Sequence, residues 1–290
     1  MEQAERKHVA STRGTCLGNA SEGRFIMTIR SVLSIAGSDS SGGAGIQADI
    51  KTIAAHGLFA QTAITALTAQ NTLGVTGVLD ATPEFVKLQI KAVFDDIRPD
   101  AVKIGMISSG AIAEAIAEAL EEVGARNIVL DPVMVATSGS QLMATEAVDV
   151  MVKRLFPLAD VITPNIPEAQ VLSGCSIENE ADMERAGDII RSKMREDAYV
   201  LVKGGHSIED ANDLLCGPQG GVWLKGKRVE TTSTHGTGCT LSSAIACGLA
   251  NGDSMQDSVR NAKDYLTGAL AHDPHLGKGN GPLDHMWRYR

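Results

Sequence analysis

From residue 31 onward, short apolar runs alternate with stretches whose apolar residues recur every three or four positions. Residues 31–36, 59–68, 101–104, 128–130, 161–162 and 200–202 read as strands. Val86, Ile90, Val93, Phe94 and Ile97 share one helical face. Ile112, Ala115, Ile116, Ala119, Leu120 and Val123 form another, with Glu114, Glu118, Glu121 and Glu122 on the wet side. Helices are also predicted over 45–56, 145–155, 180–195, 238–251 and 254–271. Alternation of this kind implies a mostly parallel sheet covered by helices on both faces, an α/β fold. No internal repeat or low-complexity linker divides the chain, so one domain is expected over 27–276. Residues 1–26 are polar, carry mixed charge and lack an apolar h-region, which predicts a disordered extension rather than a secretory signal. Residues 277–290 read as a tail with no assigned role.

Charge narrows the partners. Lys and Arg number 26 against 35 Asp and Glu, a net charge of −9, which argues against nucleic acid or an anionic membrane. No apolar run approaches the roughly 18 residues of a spanning helix. The five cysteines, Cys16, Cys175, Cys216, Cys239 and Cys247, are odd in number and contain no CxxC pair. A disulfide framework or zinc site is therefore not expected, and a reducing cytoplasm is.

Polar and glycine-rich segments close several strands, and in open α/β sheets ligands bind beyond the carboxyl ends of strands. Residues 234–241, Thr-His-Gly-Thr-Gly-Cys-Thr-Leu, lead into a helical stripe of Leu241, Ala244, Ile245, Gly248 and Leu249. A glycine turn at a helix start offers unpaired amides and the positive dipole end to an anion. The same helix start predicts a Cys239 thiol lowered from roughly 8.5 towards neutrality. Glycines in 37–45 would let backbone approach a small ligand, or simply make a flexible turn. Asp131-Pro132 and Asn165-Ile166-Pro167-Glu168 supply the oxygens that magnesium prefers; a lone Glu168 would read as helix-start charge compensation, but the two motifs on neighbouring strand ends favour the metal. Lys203, beside Gly204-Gly205-His206, is a point charge suited to phosphate. His206 and His235 are assigned structural loop roles, because no carboxylate partner stands at a fixed spacing. Cys175, Cys216 and Cys247 read as small apolar residues, and residues 217–226 as a surface hairpin.

Taken in order, these blocks resemble the ribokinase-like superfamily, and closely its hydroxymethylpyrimidine/phosphomethylpyrimidine kinases. The resemblance runs from about residue 29 to 270. It is carried by Gly37-Ser38-Asp39-Ser40-Ser41-Gly42-Gly43-Ala44-Gly45, Leu67-Thr68-Ala69-Gln70-Asn71-Thr72, Lys103-Ile104-Gly105-Met106, Leu130-Asp131-Pro132-Val133-Met134, Thr163-Pro164-Asn165-Ile166-Pro167-Glu168, Val202-Lys203-Gly204-Gly205-His206 and His235-Gly236-Thr237-Gly238-Cys239-Thr240. It implies a three-layer ribokinase-like fold and ATP- and Mg2+-dependent phosphorylation of 4-amino-5-hydroxymethyl-2-methylpyrimidine, then of its monophosphate. Gly37, Asp49, Gln70, Met106 and Val133 would line the pyrimidine pocket. Asp131, Asn165 and Glu168 would organise magnesium and its waters, and Lys203 would lie near the phosphates. Gly236, Thr237 and Gly238 would form the anion hole, and Cys239 stands where sugar kinases of the superfamily carry an aspartate base. Family analogy adds a homodimer.

Three other readings compete. A pyridoxal-type vitamin kinase shares fold and motifs, but Gln70 and Met106 favour the pyrimidine branch. A non-catalytic sensor would not need the full phosphate and magnesium set. A cysteine hydrolase built on Cys239 would need a partnered histidine, for which His235 is an unsupported candidate.

Overall fold

A computed structural model describes residues 29–134, 145–204 and 211–290. The expectations for residues 1–26, Gly205 and His206 lie outside the described residues. The chain runs β1 (Ser31–Asp39), α1 (Gly45–Ala55), β2 (Phe59–Asn71), β3 (Gly74–Asp80), α2 (Pro83–Asp96), β4 (Ala101–Ile104), α3 (Gly110–Val123), β5 (Ile128–Leu130) and α4 (Thr145–Arg154). It continues through β6 (Val161–Ile162), α5 (Ile166–Ser173), α6 (Glu180–Arg191), β7 (Tyr199–Val202), β8 (Asp213–Gly217), β9 (Gly220–Leu224), α7 (Thr237–Asn251) and α8 (Met255–Ala271).

All nine strands join one sheet in the order β3-β2-β1-β4-β5-β6-β7-β8-β9. The central pairings are parallel, and antiparallel pairs lie only towards the edges, at β2/β3, β7/β8 and β8/β9. The α/β class therefore holds, with departures from the sequence reading at β3, at α5 and at β8. Strand β3 has no counterpart among the strands read from the sequence. Every one of its residues is exposed or only half-buried, so it presents no apolar run to read. The expected hairpin spans β8 and β9, but β8 is fully buried and belongs to the sheet.

Alternation along the strands sorts side chains onto two cores. Leu33, Ile35, Val102 and Ile104 face α2, α3, α4, α5 and α6 through Ile90, Ile116, Met151, Leu172 and Ile190. Val32, Ala101 and Val129 face α1, α7 and α8 through Ile53, Ile245 and Tyr265. The second face also holds a buried polar set. Asp49 of α1 and Lys103 of β4 are both 0% exposed and form an ion pair at 2.9 Å. Ser34 and Ser243 donate to the same carboxylate at 2.6 and 2.8 Å. Each charge is thus paired and hydrogen-bonded, the condition under which charges are tolerated in a core.

Helix α7 buries the expected stripe, and the burial extends all round it: every residue from Thr240 to Ala250 is buried. A helix covered on all sides belongs to the core rather than the surface. It packs between the sheet, α1 and α8, and its N-terminus rises to the carboxyl ends of β4 and β5.

Candidate active site

A cavity of about 1200 Å3 opens along the carboxyl ends of the strands. Its walls include Gly37, Gln70, Met106 and Val133 at one end. Asp131, Asn165, Glu168, Lys203, Gly236, Thr237, Gly238 and Cys239 form its middle. Val229, Leu266 and Leu270 carry it further on. Of the pocket, phosphate and magnesium residues implied by the resemblance, all but Asp49 are on these walls. Its carboxylate is taken up by Ser34, Lys103 and Ser243 beneath the site. The expectation that Asp49 lines the pyrimidine pocket is corrected: the carboxylate sits on the sheet-facing side of α1, where a cation from β4 satisfies it.

The phosphate-side geometry follows from the start of α7. Its N-cap is Gly236, left-handed at φ 89°, with no side-chain cap and no acidic residue in the first turn. An added Cβ on Gly236 would lie 2.0 Å from the Gly43 carbonyl oxygen, so only glycine fits. The Thr237 amide reaches the Thr234 carbonyl at 3.4 Å, whereas the amides of Gly238 and Cys239 have no acceptor among the described residues. A Cβ on Gly238 would stand 3.0 Å from Asp131 Oδ2 and 3.5 Å from Lys203 Nζ, so the start of α7 lies against these two side chains.

Asp131 Oδ1 accepts from Lys203 Nζ and from Thr163 Oγ1, each at 3.0 Å. Glu168 and Asn165 close a capping box on α5: the Asn165 amide donates to Glu168 Oε2 at 2.8 Å, and Asn165 Oδ1 accepts the Glu168 amide at 2.9 Å. Burial pushes the Glu168 carboxyl up to about 7, against the opposing pull of the Lys203 ammonium. Burial alone would lower Lys203, but Asp131 and Glu168 together raise it. A carboxyl held up by desolvation would gain from a cation. Among the described residues, however, no group of three or more His, Cys, Asp or Glu side chains could hold a metal on its own. This donor set fits magnesium only with water and phosphate completing its shell, which is how that ion prefers to bind.

Cys239 behaves differently from the sequence expectation. Burial pushes its thiol up to about 11, and the Lys103 ammonium only partly opposes this. At neutral pH it is a thiol, not a thiolate. The local helix-start effect is outweighed by enclosure, which cannot be weighed from the motif alone.

His235 has the structural loop role assigned to it, but the reason given for that role does not hold. His235 Nε2 lies 2.8 Å from Asp39 Oδ2, and 3.5 Å from Gln70 Nε2. Asp39 in turn accepts the amides of Gly43 and Ala44 at 3.0 and 2.8 Å. The carboxylate partner absent at short spacing is thus supplied from 196 positions away. This pair ties the 37–45 loop to the loop leading into α7.

A mostly parallel sheet with an uncapped helix start at its strand ends, opening between a lysine–aspartate pair and an apolar pocket, has the architecture of a ribokinase-like small-molecule kinase. The phosphomethylpyrimidine kinase family model matches residues 39–284. A hydroxymethylpyrimidine/phosphomethylpyrimidine kinase of Rhizobium meliloti is 49% identical over 262 residues, covering 89% of this chain and 97% of the relative. A crystal structure of phosphomethylpyrimidine kinase from Clostridium difficile superposes with a TM-score of 0.74 at 46% identity, over 82% of this chain and 98% of that one. The ADP complex of Bacillus subtilis pyridoxal kinase superposes with a TM-score of 0.82 at 33% identity, over 90% and 99%. The chain belongs to the phosphomethylpyrimidine kinase family.

Proposed function

We propose that the protein transfers the γ-phosphoryl group of ATP to the hydroxymethyl oxygen of 4-amino-5-hydroxymethyl-2-methylpyrimidine, and then to the resulting monophosphate, in thiamine biosynthesis. The observation that carries this reading is the uncapped start of α7, open to the cavity between the Asp131–Lys203 pair and the pocket of Gly37, Gln70, Met106 and Val133. Gln70 pairs the polar edge of the aminopyrimidine, which must be satisfied once buried. Met106 and Val133 pack on its ring. The amides of Gly236, Thr237 and Gly238 hold the phosphoryl oxygens as charge spreads over them. Lys203 and Asn165 orient the nucleotide phosphates. Magnesium, held through Asp131, Glu168 and water, would neutralise charge on the β- and γ-phosphates.

In the first step the hydroxymethyl oxygen bonds to the γ-phosphorus as the bond to the β-bridging oxygen breaks. The hydroxyl proton passes to the phosphate oxygens and on to water. Cys239 supports this as a neutral packing and hydrogen-bonding group, since the loose transition state depends chiefly on positioning. The second step uses a phosphate oxygen that is already ionised and needs no base.

Incubating the protein with the pyrimidine alcohol, ATP and magnesium should give the monophosphate and then the diphosphate, with one ADP per transfer. Failure to form either product would overturn the reading. Pyridoxal in a parallel arm should react with a lower kcat/KM; a higher value would favour the vitamin B6 branch.

The protein is proposed to be a cytoplasmic homodimer. Leu67, Leu73, Val78 and Leu79 on the β2–β3 edge, together with Phe85 and Leu88 of α2, are exposed apolar residues suited to a second copy. Sedimentation at the mass of one chain would refute the dimer. No helix among the described residues is long and apolar enough to cross a membrane.

A further inference from the structure

The segment that follows α8 links the chain just after Gln70 to the loop that leads into α7. The amides of Lys278 and Gly279 donate to Thr72 Oγ1 at 3.1 and 3.2 Å, and the Asn280 amide donates to the Thr72 carbonyl at 3.1 Å. Thr72 lies two residues beyond Gln70. A side chain on Gly279 could not be accommodated, because its Cβ would lie 2.1 Å from the Thr72 carbonyl oxygen. The segment then crosses to the phosphate side. There the Gly281 amide donates to the Thr232 carbonyl at 3.1 Å, and the His235 amide donates to the Gly281 carbonyl at 3.0 Å. A parallel bridge joins His235 to Pro282, immediately before the anion-hole glycine.

Further along, His285 is only 3% exposed and its Nε2 stands 3.0 Å from Thr240 Oγ1. Thr240 is fully buried in the first turn of α7, next to Cys239. Tyr265 Oη donates to the His285 carbonyl at 2.7 Å and fixes the backbone there. Burial drives the imidazole down to about 4, with the Lys51 ammonium acting in the same direction and Asp284 opposing. The ring is therefore neutral at neutral pH. His285 does not reach the cavity wall.

The amides of an uncapped helix start are useful only if something else fixes their direction, because any cap inside the site would occupy the place of the anion. We propose that residues 277–285 are a positioning strap for phosphoryl transfer: Gly281 holds the backbone of His235, and His285 aims the first turn of α7 through Thr240. This rests on the kinase reading given above.

The test compares His285→Ala, His285→Gln, Thr240→Val and the double variant, with Tyr289→Phe as control. Tyr289 anchors the far end of the same segment by donating to the Ala55 carbonyl at 2.8 Å. His285→Ala and Thr240→Val should each lower kcat in both phosphorylations by about ten- to hundredfold. Pyrimidine and ATP KM values should stay within about threefold, since the loss is confined to the transition state. The double variant should be no worse than either single one. His285→Gln, which keeps a nitrogen at the same reach, should recover most of kcat, and Tyr289→Phe should leave it unchanged. Amide hydrogen exchange over residues 236–240 should quicken in His285→Ala and not in Tyr289→Phe. Exchange is readable without any substrate, so a wild type that makes no product refutes the kinase reading while leaving this measurement intact. Should His285→Ala not fold, the near-isosteric Thr240→Val carries both readouts. An unchanged kcat in a folded variant, additive losses, or unchanged exchange over 236–240 would overturn the strap.

Discussion

The starts of α1 and α7 look alike in the sequence: both are glycine-rich, both follow polar residues, and neither has a capping side chain at its N-cap. The structure makes them opposites. The turn into α1 carries its own anion, Asp39, whose Oδ2 accepts the amides of Gly43 and Ala44 while Oδ1 accepts from Ser41. Burial alone would raise that carboxyl, but the hydrogen bonds from His235, Ser41 and Ala44 win and hold it well below the usual carboxylate range. The turn into α7 carries no acid, and the amides of Gly238 and Cys239 have no acceptor among the described residues. One glycine loop is a closed structural turn that borders the cavity; the other leaves amides without an acceptor at the cavity wall. What distinguishes them is whether the chain itself supplies the negative charge.

Filling the open start should do the most damage. Gly236→Ala forces a Cβ against the Gly43 carbonyl at a left-handed φ of 89°. A fall in kcat of at least about 10²-fold is expected, the scale set by loss of oxyanion donors. A single-turnover assay checks it, and a loss below tenfold would mean that these amides do not carry the transferred charge. Emptying the filled start should act on stability instead. Asp39→Ala leaves His235 and two loop amides without their acceptor and should cost about 2–4 kcal/mol. In urea unfolding that contribution should be present above the ordinary carboxylate pKa of 3.8 and lost as pH falls below it, because the unfolded chain takes up the proton first. The variant should therefore show a flatter acid limb than the parent; parallel limbs would contradict the depressed carboxyl. The smallest effect is expected at the thiol. Cys239→Ala should slow the two phosphorylations by similar factors, each under about tenfold, since a thiol held near 11 is not an ionised base. A first step slowed far more than the second would restore the thiolate.

Much of this contrast was legible in the sequence. The alternation of strands and helices gave the α/β layers, and the polar and glycine-rich blocks supplied one end and the middle of the cavity, but not the walls around Val229, Leu266 and Leu270. What stayed hidden depended on long-range company. Asp49 reads as a ligand contact until Lys103, 54 positions away, is found beside it. His235 has no acid nearby in sequence, and Asp39 reaches it only through the fold. For Cys239 the motif shows the helix start but not the enclosure, and the two push the thiol in opposite directions. Strand β3 escaped notice because an exposed edge strand has no buried face to leave a pattern.

Helix α7 is sheathed along its length, with α1, α8 and the sheet closing on every side from Thr240 to Ala250. Its N-terminal tip is consequently a fixed anvil. It cannot tilt or slide towards an arriving phosphate without breaking a close-packed interior. Whatever travel a turnover cycle requires must be made by the reactants and by the opposite walls, with the helix tip as the stationary reference.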